Sequence, residues 1–297
     1  MDSTERQKIL FQKHAKTFSF AAAFLGQETF NKVIVLYEFC RVVDDIADEG
    51  ENIEDAKTEL LSIKTNISNS HSNDPYISEF VTFLNAQKLD KKYVLDLLDG
   101  VISDCRSQIS IKSKDHLLHY CYQVAGTVGA LMCPLLGVKE AQQEAALPAA
   151  INLGIAMQLT NIARDIKEDA ENDRVYIPQS WITITPEVLI KEPQREENDA
   201  SHACQKLLQT ADHYYEEAKK GYAYLPLRAR LTILIAATLY RAIGGKIEKT
   251  NHQYWLGRQY LSKLEKVSKA LASLIEITDP SFWYIRQERK AHVGHSR

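Results

Sequence analysis

An all-α, single-domain helical bundle is the fold class this sequence predicts, and three observations predict it. Apolar residues recur at spacings of three and four over long segments. Only 12 Gly and 8 Pro occur in 297 residues, too few for the many tight turns of an all-β chain. No stretch shows convincing β alternation or a repeat of solenoid period. The spacing predicts a helix over residues 29–48, where Phe30, Val33, Ile34 and Tyr37 follow the three-and-four rule. Further helices are expected over 76–87, 90–105, 114–136 and 140–169, then over 200–225, 226–249 and 257–275. Gly26, Gly50, Gly137 and Gly221 punctuate them as helix stops. Residues 49–54 read as a short acidic loop. A long loop is expected near 174–199, which holds Pro178, Pro186 and Pro193. Each side of it ends in apolar helices that lack partners of their own, so one domain over 1–297 is expected, with a frayed basic tail at 286–297.

The composition narrows the function classes. With 45% hydrophobic and 25% charged residues the chain is neither disordered nor fibrous. A net charge of -3 supplies no global field for nucleic acid. The five cysteines (Cys40, Cys105, Cys121, Cys133 and Cys204) form no C-x-x-C pair, and an odd number suits reduced thiols better than a disulfide framework. No secretory signal opens the chain, and the longest apolar stretches, 127–138 and 231–240, are short of a membrane span. A cytoplasmic protein, soluble or resting on a membrane surface, is expected. His116 and His119 lie three apart, but no third ligand stands at a zinc spacing, so they read as exposed helix histidines.

Two segments carry chemistry. They are Tyr37-Glu-Phe-Cys-Arg-Val-Val-Asp-Asp-Ile-Ala-Asp48 and Gln158-Leu-Thr-Asn-Ile-Ala-Arg-Asp-Ile-Lys-Glu-Asp169. At about 100° per residue, Tyr37, Arg41, Asp44, Asp45 and Asp48 share one face, as do Gln158, Asn161, Asp165 and Asp169. Most acidic stripes on helices are merely solvated. Here like charges crowd one face at a small cost to the helix, and Asp stands where Glu would propagate it better. Short carboxylates at i, i+1 and i+4 suit a hard cation such as magnesium, which prefers oxygen ligands and keeps waters for a substrate phosphate. Lys16, Arg41, Arg164 and Arg174 lie near the stripes. They are either ion-pair partners for the aspartates or phosphate-gripping cations.

The chain resembles the squalene and phytoene synthase family, whose members join two prenyl diphosphates head to head. The resemblance covers almost its whole length. It rests on His14-Ala-Lys-Thr-Phe18, the first aspartate motif, Leu98-Asp-Gly100, Tyr120-Cys-Tyr-Gln-Val-Ala-Gly-Thr-Val-Gly129, the span Gln158 to Asp169, and Arg174-Val-Tyr-Ile-Pro178. Tyr214-Tyr-Glu-Glu-Ala-Lys-Lys-Gly221, Leu225-Pro-Leu-Arg228, Leu239-Tyr-Arg-Ala-Ile-Gly244 and Trp255-Leu-Gly-Arg258 look more like bacterial phytoene synthases than squalene synthases. Ala15 and Thr17 replace usual serines, and Lys167 and Asp173 replace common glycines, without removing a carboxylate.

The resemblance implies a bundle around a central cavity, with the two aspartate helices facing across its mouth. It implies that Asp44, Asp45, Asp48, Asn161, Asp165 and Asp169 bind magnesium (or manganese). Lys16, Thr17, Arg41, Gln158, Asn161, Arg174 and Arg258 would contact prenyl diphosphate. Tyr240, with Phe18 and Tyr122, would stabilise carbocations. The implied reaction condenses two geranylgeranyl diphosphates through a cyclopropyl diphosphate to phytoene, as in carotenoid biosynthesis. Small side chains at Ala21-Ala-Ala23 would leave room for twenty-carbon tails. The alternative is farnesyl diphosphate coupled to squalene or dehydrosqualene, with NADPH needed only for squalene. A catalytically silent relative acting as an assembly factor would be expected to have lost carboxylates, and here both motifs are whole. A greasy product suggests delivery at a membrane surface, where Arg286, Arg289, Lys290 and Arg297 could touch acidic lipid, although a frayed tail is the preferred reading of these four. Oligomeric state is not readable.

Overall fold

The computed structural model describes residues 16–50, 52–106, 109–191 and 197–277, apart from the side chains of Lys16, Glu49 and residues 197–199. The expected tail at 286–297, with its four basic residues, and Pro193 lie outside these. Among the described residues twelve α-helices run in order: α1 (Lys16–Ala22), α2 (Gln27–Glu49), α3 (Ile53–Ser68), α4 (Pro75–Ala86), α5 (Lys91–Asp104), α6 (Lys114–Cys121), α7 (Thr127–Leu135), α8 (Glu140–Glu171), α9 (Pro186–Lys191), α10 (Glu197–Lys219), α11 (Leu227–Lys249) and α12 (Lys263–Glu276). No strand occurs among the described residues. Most of the expected helices are present. The differences have local causes.

Helix α3 has no counterpart in the sequence reading. Asn52 accepts a hydrogen bond from Glu54 N and starts a helix that buries Ala56, Leu60, Ile63 and Ile67. That helical spacing was legible, but the acidic lead-in 49–54 masked it. The stretch read as a loop near 174–199 contains α9, and α10 begins at Glu197. The last helix starts at Lys263, behind the N-cap Ser262 that forms a reciprocal capping box with Glu265, and not at Gly257. Gly26 is the N-cap of α2 and not a stop. The stretch expected as one helix over 114–136 is broken by a π-helical turn, Tyr122–Gly126.

Helix α8 is the axis of the bundle. It packs against α7, α9, α10 and α11, and buries Ala156, Leu159, Ala163, Ile166 and Ala170. By length and composition it could cross a membrane; here it runs through the bundle. Two close backbone approaches set its distance from the π turn and α7. A Cβ on Gly154 would lie 2.1 Å from Ala125 O, and one on Gly129 would lie 2.2 Å from Ala150 O. Each helix thus offers a glycine to the other's backbone. The five cysteines are free thiols, four of them buried.

Gly154→Ala is expected to force α7 and the π turn away from α8 and to cost about 1–3 kcal/mol. Urea unfolding checks this, and an unchanged midpoint would contradict the contact.

Candidate functional site

Between α2, the π turn with α7, and the helices α8 and α11 lies an elongated apolar cavity of about 290 Å³. Residues 146, 149, 150, 153, 154, 157, 158 and 161 of α8 form one of its walls at helical spacing, a stripe roughly 22 Å long. At its deep end the wall is built of small side chains, Ala146, Ala149, Ala150, Ala218 and Gly221. Gln158 and Asn161 bring the first polar atoms, and Asn161 Nδ2 donates to Gln158 Oε1 at 3.2 Å. The same face of α8 then continues into Asp165 and Asp169. One helix therefore provides both the greasy wall and the charged rim.

At the rim, carboxylates and guanidinium groups interleave. Arg164 Nε and Nη2 donate to Asp165 at 2.7 and 2.5 Å. Arg258 pairs with both Asp165 (3.2 Å) and Glu168 (2.8 Å). Arg174 Nη1 donates to Asp48 at 2.6 Å, which ties the end of α8 to α2. Arg41 pairs with Asp45 one turn along α2. The two aspartate rows thus come together at one end of the cavity. Arg41, Arg174 and Arg258 sit among them as ion-pair partners of the aspartates, and Arg174 spans the two rows.

Asp44 touches the open cleft, yet protein encloses it from most directions. Burial first, and Asp48 second, raise its pKa to about 7. Asp169 is raised to about 8 by burial and by Asp165, with Arg174 opposing. Asp104, the last residue of α5, was not foreseen. Burial raises it to about 7 against the lowering effect of Tyr120, whose Oη donates to Asp104 Oδ2 at 2.7 Å, and of Arg174. Tyr176 stacks on Tyr120 with centroids 5.0 Å apart. Asp104 acts electrostatically on both Asp44 and Asp169, so it belongs between the rows. Its sequence signal was an acidic residue at a helix C-terminus, where the dipole disfavours an anion.

Other expectations fare differently. Phe18 and Tyr240 line the cavity, joined by Tyr37 and Tyr222. Tyr122 does not line it; its Oη donates to Asp96 at 2.6 Å on the outer side of the π turn. Ala21 and Ala22 are fully buried in the packing and Ala23 is exposed, so the alanine run does not border the cavity. Thr17 is half-buried in the first turn of α1, while the Lys16 side chain lies outside the described residues. His116 is exposed, its Nδ1 accepting from Lys112 N at 3.2 Å.

The donors suit a hard divalent cation. All are oxygens, burial first and neighbouring carboxylates second raise the pKa of Asp44 and Asp169, and Asn161 Oδ1 is buried without a hydrogen-bond partner. Among the described residues no three acidic, His or Cys groups form a ready-made cage. Arg41, Arg174 and Arg258 occupy the carboxylates instead, an arrangement that suits ions arriving with a phosphate ligand of their own.

Asp44, Asp104 and Asp169 hold their protons more tightly in the folded chain than in the unfolded one. Their stabilisation is complete below about pH 4 and drains away as pH climbs through 7 to 8. Thermal unfolding of the metal-free protein should therefore shift to lower temperature across that window, less steeply in Asp169→Asn. A midpoint that rises from pH 5 to 8 would contradict the crowding of charge.

The family model for squalene/phytoene synthase matches residues 11–265. The 15-cis-phytoene synthase of Pantoea ananas is 34% identical over 275 residues, covering 87% of this chain and 87% of that protein. That of Enterobacter agglomerans is 33% identical over 273 residues, covering 87% and 90%. A crystal structure of a dehydrosqualene synthase in complex with ligand superposes with a TM-score of 0.77 at 22% identity, covering 92% of this chain and 96% of that one.

Proposed function

The chain belongs to the squalene/phytoene synthase family, and from that premise we propose that it condenses two geranylgeranyl diphosphates head to head to phytoene, passing through a cyclopropyl diphosphate and releasing diphosphate. It is a prenyl-transferring enzyme. The observation that carries the substrate reading is the cavity: an apolar slot with alanines and a glycine among its walls runs along the face of α8 that continues through Gln158 and Asn161 to Asp165 and Asp169.

Breaking an allylic carbon–oxygen bond leaves a carbocation and a highly charged diphosphate, and the chain has a place for each. Arg41, Arg174 and Arg258, with Lys16, Thr17 and Gln158, bind and orient diphosphate oxygens. Bidentate guanidinium geometry suits that task. At an effective dielectric near 20, a unit charge pair at 4 Å is worth roughly 4 kcal/mol, so a few such contacts supply a large part of the barrier reduction. Magnesium or manganese, held by Asp44, Asp45, Asp48, Asn161, Asp165 and Asp169, supplies further neutralisation of the leaving group when bound. Asp104 holds Tyr120 in place between the rows.

Below the rim, the walls exclude water from the cation. The faces of Phe18, Tyr37 and Tyr240 offer negative quadrupole to it. Phytoene forms by loss of a proton from the rearranged cation, so no reductant enters. Depth sets chain length: Ala146, Ala149 and Gly221 leave room where a larger side chain would stop the tail.

Incubated with geranylgeranyl diphosphate and magnesium, without reduced nicotinamide, the protein is expected to yield phytoene, identified by mass. A hydrocarbon formed only from farnesyl diphosphate, or only with the nicotinamide, would contradict the reading. Asp44→Asn and Asp165→Asn should each lower turnover by about 100-fold or more with helical content unchanged; retained activity in both would remove the roles assigned to the rows. Ala146→Phe should shift preference from the twenty-carbon toward the fifteen-carbon substrate in competition assays. Unaltered preference would move the length determinant elsewhere.

A further inference from the structure

A second cavity, of about 350 Å³, lies between α10, α11 and α12. Its character differs from that of the catalytic slot. Asp212 and Lys219 of α10, Arg241 and Glu248 of α11, and Lys269 and Glu276 of α12 border it, and Glu248 and Lys269 stand exposed at its edge. A polar, solvent-reached lining of this kind suits water, whereas the slot is apolar. Among the described residues Tyr222 alone borders both cavities, and it is only 3% exposed. Burial, then Glu276 and Glu216, raise the pKa of its phenol while Arg241 lowers it, so the polar tip answers to charges on the side of the second cavity. Tyrosine suits such a wall because its ring is apolar and its tip polar.

The wall is also held in place. Tyr222 opens a 3-10 turn, Tyr222–Tyr224, in the connection between α10 and α11. Leu225 N donates to Tyr222 O at 3.1 Å. Arg230, 7% exposed, donates from Nη2 to Ala223 O at 3.0 Å and to Leu225 O at 2.9 Å. A buried guanidinium bonded to main-chain carbonyls fixes the turn, since breaking those bonds would leave a desolvated charge unsatisfied. Just before the turn, Gly221 presses on α8: a Cβ there would lie 2.6 Å from Ala149 Cβ. Tyr222 is thus anchored on both sides at the deep end of the slot.

We propose that Tyr222 sets the upper limit of tail length: its ring closes the deep end of the slot, and without it the slot runs on into the second cavity. This rests on the reading that a prenyl tail lies in the slot, and adds to it the element that stops the tail. The small side chains beside Tyr222 leave room for a chain but cannot end it. A phenol ring is close in size to one five-carbon prenyl unit, so its removal admits the next longer homologue. Leu234 and Ala237, in the walls of the second cavity, offer the extra unit apolar contact.

The test compares geranylgeranyl diphosphate with its twenty-five-carbon homologue, geranylfarnesyl diphosphate. The ratio of their kcat/KM values is measured on wild type, Tyr222→Ala, Tyr222→Leu and Tyr222→Phe, with helical content followed by circular dichroism. Wild type should reject the longer homologue by at least about tenfold, since even one surplus methylene in a fitted apolar pocket is felt at roughly that level. Tyr222→Ala should erase most of that preference and release a fifty-carbon hydrocarbon, identified by mass. Tyr222→Leu, which lacks the far half of the ring, should do so in part, and it stands in for Ala if the larger void unfolds the chain. Tyr222→Phe keeps the ring and should keep the wild-type ratio. The proposal is overturned if wild type accepts both homologues equally, if the folded Ala or Leu variant discriminates as wild type does, or if Phe relaxes the preference as far as Ala. Normal phytoene formation with an unmoved ratio removes the partition alone. If neither diphosphate is turned over, the function proposed above falls, and the stop with it.

Discussion

Concentrated negative charge at the lip of a water-excluding cavity is the constraint on which this structure turns. Burial first, and neighbouring carboxylates after it, raise the pKa of Asp44 on α2, Asp104 on α5 and Asp169 on α8, and the arginines nearby do not fully offset this. Such an arrangement costs folding free energy at neutral pH. It makes chemical sense where a polyanion arrives with its own divalent counter-ions and departs with its charge increased. The bundle supplies the rigidity that keeps the rows from splaying apart: α8 is held on several sides, and Arg174 ties its C-terminal end to α2 through Asp48.

The pairing of chemistry with cavity follows from helical periodicity. On α8 a single stripe passes from alanines and Leu153 through Gln158 and Asn161 to Asp165 and Asp169. A tail lying along the helix therefore places its head group among the acids without a bend. Gly129 and Gly154 let the opposing backbones touch, which fixes the π turn and α7 against α8. The π turn between α6 and α7 brings Val124 and Ala125 onto the cavity side and leaves Tyr122 outside, bonded to Asp96.

Much of this was legible from the residues. The two aspartate faces, the neutral oxygens at Gln158 and Asn161 and the bundle class followed from periodicity. Their convergence followed only from resemblance, because spacing along one helix says nothing of which helix lies opposite. Asp104 escaped since a lone acid at a helix end has no motif around it; only the fold brings it to Tyr120 and between the rows. Tyr122 was misplaced because its role came from resemblance alone; in the fold it opens the π turn on the outer side, bonded to Asp96. The alanines at 21–23 satisfied a pattern of small residues, but the helix packs Ala21 and Ala22 into the core, leaves Ala23 exposed and turns Phe18 toward the cavity.

Whether the opposed rows act as one cation-binding unit is open to a direct physical measurement. Manganese is paramagnetic, so its binding in the presence of diphosphate can be followed by electron paramagnetic resonance on wild type, Asp44→Asn and Asp169→Asn. The account predicts tight, diphosphate-dependent binding in wild type that is weakened at least tenfold by a substitution in either row. Binding that survives the loss of one whole row unchanged would show that the two helices do not share the ions, and the account would fail.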